Sequence, residues 1–201
     1  MGNSNNSLLM PVKARTYYHQ SQAFDFECEK FGLTAPYLSS NGVALLMEMG
    51  TGKTITSIGI TGALYQFGKV NRVLIVCPLS IVDVWQQEFE SFVDYPYNLT
   101  ILSGSSAKKK EMFSVMPDKG LQVVVINYES TWRVQDSLEA FNADLIICDE
   151  AHKIKEARKD QSKCLHKLGD MAKYKLLLTG TVITNKELDV FSQYRSLNRE
   201  I

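Results

Sequence analysis

No sign of charge predominates in this chain: 22 basic residues balance 22 acidic ones. No overall field therefore draws it to a polyanion, and any nucleic-acid contact must come from a local patch. No apolar run approaches the ~20 residues of a membrane span, and the opening MGNSNNSLLM lacks the charged and apolar segments of a secretory leader. Its Met-Gly start carries Asn6 where a myristoylation signal has Ser or Thr. Cysteine is sparse. Cys28, Cys77, Cys148 and Cys164 form no CxxC pair and read as reduced, mostly buried thiols of an intracellular protein. Internal repeats and composition shifts are lacking too, and 201 residues, 45% of them apolar, suffice for one sizeable core. Residues 1–10 read as a flexible polar lead-in and residues 11–201 as one domain.

What is present is a series of six short apolar runs: VALLME at 43, VLIVCP at 73, LTIL at 99, LQVVVINY at 121, DLIICDE at 144 and KLLLTGT at 175. They read as strands buried on both faces. The segments between them have helical length, so the pattern predicts an α/β fold, a mostly parallel sheet with helices on both faces. In such sheets ligands gather at the carboxyl ends of the strands, and GTGKT, PLS, DEAH and TGT stand there. The one charge run, Lys108-Lys109-Lys110, reads as a solvated face.

In MGTGKT, Gly50 and Gly52 allow positive φ, so successive N–H groups can turn inward around phosphate oxygens, with Thr51 between them. Lys53 adds a cation, and Thr54 opens the following helix with its hydroxyl placed for Mg²⁺. The match to G-x-x-x-x-G-K-[ST] is partial, because position 47 is Met47; the alternative is an ordinary Gly-rich strand-to-helix turn. Downstream, Asp149 and Glu150 end an apolar strand, where adjacent carboxylates are costly unless a cation or solvent meets them. A metal nucleotide meets both: Asp149 holds Mg²⁺ and Glu150 polarises the attacking water. An acid-rich helix start is the plainer reading of that pair by itself.

Taken in order, these motifs resemble the N-terminal RecA-like lobe of superfamily II helicases and translocases, and most closely their Swi/Snf-like branch. RTYYHQSQAF resembles the adenine-recognising Q motif, with Gln20 reading the base; MEMGTGKT resembles motif I, VLIVCPLSIVDVWQQEF motif Ia, DEAHKIK motif II and LLLTGTVITN motif III. VVVINYES stands where such proteins commonly carry Thr-Tyr-Glu. The resemblance covers residues 15–197. It departs at Met47, usually acidic, and in motif III at Val182, usually Pro, and Thr184, usually Gln or Glu. It implies ATP and Mg²⁺ as cofactors, catalysis by Lys53, Asp149 and Glu150, and sequence-independent contact with double-stranded DNA through Pro78, Leu79, Ser80, Asn127 and Tyr128. It implies coupling of nucleotide state to the DNA path through His152, Thr179, Gly180 and Thr181. A cap role for Ser80 on the following helix is the plainer alternative, and Trp85 and Phe89, one helical turn apart, read as core packing. A full motor of this kind has a second RecA-like lobe with arginine fingers, which these residues do not supply, so slow hydrolysis is expected of the lobe alone. An unwinding DNA or RNA helicase, a non-hydrolysing nucleotide-dependent binding module and a small-molecule P-loop kinase remain the competing readings.

Overall fold

In the computed structural model, which describes residues 8–34, 40–117, 119–151 and 159–180, each of the six apolar runs is a strand. They are β1 (Gly42–Leu46), β2 (Arg72–Cys77), β3 (Tyr97–Ile101), β4 (Leu121–Asn127), β5 (Leu145–Asp149) and β6 (Tyr174–Thr179). They hydrogen-bond in the order β1-β6-β5-β2-β4-β3, every pairing parallel. Six described α-helices connect or cover them: α1 (Tyr18–Lys30), α2 (Lys53–Gln66), α3 (Val82–Phe92), α4 (Ser106–Ser114), α5 (Gln135–Phe141) and α6 (Lys159–Met171). Short 3₁₀ turns, Leu79–Ile81 and Tyr128–Val134, follow β2 and β4.

The runs are apolar without alternation because both faces of the sheet are covered. Along β2, Val73, Ile75 and Cys77 enter one core cluster while Leu74 and Val76 enter the other. The first cluster lies under α1, α2 and α3, with Phe24, Ile58, Leu64, Trp85 and Phe89; the second takes Leu138 and Phe141 of α5 with Cys164, Leu165 and Leu168 of α6. Each fully buried Val, Leu or Ile stabilises the fold by about 1.5–3 kcal/mol relative to exposure. The same period of two decides where the polar strand ends point. Leu145 and Ile147 lie in the first cluster, so Asp149, next in that parity, faces α2 and α3.

Eleven of the 14 residues of α2 are buried, and Gly59 and Gly62 make this possible. A Cβ on Gly59 would strike Met10, and one on Gly62 would strike Tyr95 and Pro11. Tyr95 also donates its hydroxyl to the Ile58 carbonyl at 2.8 Å. Met10 is therefore core, and the expected lead-in boundary at residue 10 falls too late: Met10 seats over Gly59, and Val12 bridges to Val93 beside it. A second correction concerns the lysine run. Lys108 and Lys110 are exposed, whereas Lys109 is buried and donates to Ser130 Oγ at 2.7 Å. All four cysteines are buried and unpaired, and burial pushes Cys28, Cys77 and Cys148 up to about 12. These thiols are protonated and inert at neutral pH. No described helix is long and apolar enough to cross a membrane.

Glu27 of α1 is fully buried, with neither carboxylate oxygen hydrogen-bonded among the described residues. Burial raises its pKa well above the ordinary 4.5. The folded state thus keeps this proton to higher pH than the unfolded chain does, and stability falls as pH rises from about 4.5 through the raised value. Glu27→Met, of similar length and without the orphaned oxygens, should stabilise the protein near neutral pH by about 1–3 kcal/mol, the gain shrinking as pH falls toward 4.5. Urea unfolding at several pH values measures it, and a gain that does not vary with pH contradicts the assignment.

Candidate nucleotide site

Between β1 and α2 the chain makes a loop whose shape depends on two glycines, Gly50 at φ 81° and Gly52 at φ 93°. Nothing lies within 4 Å of where a Gly50 Cβ would stand, so backbone there is open to a ligand. Lys53, the first residue of α2, is buried, and its Nζ donates to the carbonyls of Met47 at 2.9 Å and Glu48 at 3.2 Å. The ammonium thus sits within the curve of the loop, at a helix N-terminus that itself favours anions. Met47 takes part through its carbonyl, which any residue supplies. Thr54 follows, half-buried.

The loop is tied to α1. The Thr51 carbonyl accepts from Gln20 Nε2 at 3.2 Å and lies 2.9 Å from His19 Nε2, while Gln20 Oε1 accepts the Tyr17 N–H at 2.9 Å. These bonds leave the Gln20 amide one N–H and one lone pair. Beside them Tyr17 stacks on His19, rings 5.8 Å apart and 7° from parallel, with Tyr17 71% exposed. From the other side the end of β6 closes on the loop. Thr179, buried, accepts the Met47 N–H on its carbonyl at 3.3 Å, and a Cβ on Gly180 would stand 3.6 Å from Lys53 Nζ. His152 and Thr181 lie outside the described residues.

Asp149 ends β5 with its carboxylate buried and held on both oxygens: Oδ2 accepts the Trp85 indole N–H at 3.1 Å and Oδ1 accepts the Glu150 N–H at 2.8 Å. Burial raises its pKa most and the Glu150 charge adds to this, while the Glu150 N–H, the Trp85 indole and the Lys53 ammonium pull the other way. Burial makes the ionised carboxylate costly, and opposite charge brought against its remaining lone pairs offsets that cost. Glu150 has φ 51°, a left-handed conformation uncommon outside glycine and of the kind that concentrates at functional turns. The chain then returns to the sheet, Ala151 N–H bonding the Leu178 carbonyl at 2.9 Å.

Four expectations fare differently in detail. Pro78 is half-buried, and Leu79 and Ser80 are exposed in the turn after β2; neither that turn nor α3 takes a side-chain cap, so the cap reading of Ser80 is not what the structure shows. Asn127 is buried and gives its amide to Glu129 Oε2 at 2.7 Å. Tyr128 is not on an open track: it is buried, with its hydroxyl on the Asp149 carbonyl at 2.9 Å, because the 3₁₀ turn folds it under β5. Trp85 is core, as expected, yet it also holds Asp149. The one signal available in the sequence was that a buried indole N–H needs an acceptor.

The two glycines should respond differently to a methyl group. Gly50→Ala meets only the cost of a left-handed alanine, about 1–2 kcal/mol, because the space beside it is open. Gly52→Ala adds a collision with the Gln20 amide, so its loss of stability should be clearly larger and should loosen α1. Denaturant midpoints compare the two, and equal losses contradict the seating of Gln20 on the loop.

The SNF2-related domain family matches residues 13–200. Among curated relatives, mouse chromodomain-helicase-DNA-binding protein 1-like is 31% identical over 76% of this chain and 17% of its own length. Arabidopsis thaliana Switch 2 is 30% identical over 91% of the chain and 21% of its own length. The chain therefore spans about a fifth of the length of these relatives. Among solved structures, the SWI2/SNF2 ATPase core of Sulfolobus solfataricus in complex with double-stranded DNA superposes with a TM-score of 0.77 at 24% identity, over 96% of this chain and 38% of that one. The superposition shows that the all-parallel α/β sheet shares the RecA-like fold of such cores, and the chain belongs to the SNF2-related domain family.

Proposed function

We propose that this chain is the ATP-binding lobe of a DNA-dependent ATPase that moves along double-stranded DNA. The observation that carries the reading is the meeting, at one edge of the sheet, of a cationic loop and an acidic turn: Lys53 after β1 and Asp149-Glu150 after β5, with Gly180 at the end of the intervening β6 beside Lys53 Nζ. The residues fit a metal nucleotide, since Gly50 and Gly52, on either side of Thr51, give the loop its positive φ and carry no Cβ, and Lys53 brings the charge that phosphates need. Thr54 and Asp149 would hold Mg²⁺, which neutralises charge on the phosphate oxygens. Glu150 takes the proton of the attacking water, and Gln20 meets the adenine with its remaining donor and acceptor. Thr179, Gly180, Thr181 and His152 link this edge to the DNA path.

Contact with DNA falls to Pro78, Leu79 and Ser80, the turn after β2 in which Leu79 and Ser80 are exposed, while Asn127, buried with its amide on Glu129, supports the strand ends from within. Small hydroxyls and backbone groups hold phosphate without reading bases, as a sliding motor requires. The DNA-bound Sulfolobus core and the DNA-associated names of the relatives support DNA over RNA. Tyr128 acts from beneath, through Asp149.

Lys53→Ala should abolish ATP binding by calorimetry while leaving the thermal midpoint close to wild type; equal affinities contradict the nucleotide site. Turnover by these 201 residues alone should be slow, with or without duplex. The transition state needs a positive group opposite Lys53, and in motors of this kind an arginine finger of a second lobe supplies it, worth about 10³–10⁵ in rate in other nucleotide hydrolases. Brisk steady-state turnover that Glu150→Gln removes would establish the base and overturn the dependence on a second lobe.

A further inference from the structure

We propose that Trp85 is a positioning residue that fixes the carboxylate of Asp149 and transmits to it the state of the exposed turn at residues 78–81. The inference rests on the reading above, in which Asp149 holds Mg²⁺ and that turn meets DNA. Trp85 lies in the first turn of α3, which begins at Val82 directly after the 3₁₀ turn Leu79–Ile81. Its ring is 1% exposed and packs against Phe89 at 6.2 Å between centroids. Packing alone would be served by any large apolar side chain, but the indole N–H ends on Asp149 Oδ2 at 3.1 Å, itself buried. With the Glu150 N–H on Oδ1, the carboxylate is held at both oxygens, and the Tyr128 hydroxyl holds the backbone carbonyl of the same residue. Lone pairs remain on both oxygens for a cation.

The geometry makes α3 a short lever. The turn at Leu79 and Ser80, both exposed, leads directly into its first residues, and these carry the indole that ends on the carboxylate. A helix transmits a small displacement of its first residues rigidly, so phosphate drawn against residues 78–80 moves or steadies the Trp85 N–H. Metal ligands depend on such partners: removing a group that orients a ligand typically costs about 10- to 100-fold in metal affinity or activity.

The test compares the 201-residue wild type with Trp85→Phe and with a protein carrying benzothienylalanine at position 85, which keeps the indole shape and replaces its N–H by sulfur. ATP affinity is measured with excess Mg²⁺ and with a chelator, each with and without duplex DNA. Both variants should match wild type in the chelator and lose about ten-fold of the Mg²⁺-dependent gain; duplex should alter that gain in wild type and not in either variant. The isosteric protein should keep the wild-type thermal midpoint, which separates positioning from packing. An unchanged Mg²⁺ gain in both variants overturns the role of Trp85 alone. A wild type whose affinity ignores Mg²⁺ overturns the assignment of Asp149 on which the inference stands.

Discussion

A parallel sheet buried on both faces leaves its strands no place for a polar side chain except their ends. That constraint organises this molecule. The interior positions of β2, β4 and β5 feed two apolar clusters, one on each side, and the groups able to do chemistry collect at the carboxyl edge, where the backbone leaves the sheet. Lys53, Asn127, Asp149 and Thr179 are all buried polar residues, and all stand at or just beyond a strand end. Desolvation at such an edge is partial, so a charge survives there if it finds partners. Lys53 finds two carbonyls, and Asp149 finds an indole and a backbone N–H.

The same edge concentrates unusual backbone. Gly50 and Gly52 have positive φ, and so does Glu150, which lacks the excuse of being glycine. A left-handed Glu costs stability that the surrounding bonds must offset, and here the Ala151 bond to β6 and the Asp149 bond to the Glu150 N–H do so. Strain of this kind aims backbone and side chain where a relaxed turn would not. Glu27 shows the opposite case, a buried acid far along α1 with no hydrogen-bond partner among the described residues, which lowers stability without any tie to the strand ends.

Much of this was legible in the residues. Six apolar runs became six strands within two residues at each end, because a strand buried on both sides needs continuous apolar sequence and nothing else in the chain offers it. The glycines of MGTGKT forecast their own positive φ. Less legible were relations between distant segments. Lys109 reads as one of three solvated lysines, but it lies in α4 on the side facing Ser130, and only packing reveals that. Tyr128 belongs to a motif associated with nucleic acid, yet its turn tucks it under β5. Met10 ends a polar stretch and looks dispensable until Gly59 is seen to leave room for it.

What the sequence determined by itself was whatever depends on near neighbours in the chain: the period-two burial of strands, the helical segments between them, the glycine-dependent loop and the acidic strand end. What only the tertiary structure decided was which side chains meet across elements, above all the indole of Trp85 on the carboxylate of Asp149 and the amide of Gln20 on the carbonyl of Thr51. The physical reason is the order in which strands and helices pack. With β5 set beside β2, Trp85 and Asp149, separated by 64 positions, become hydrogen-bonded partners, while the packing of α1 on α2 brings Gln20 to Thr51, 31 positions away. A linear pattern of hydrophobicity carries no record of that order.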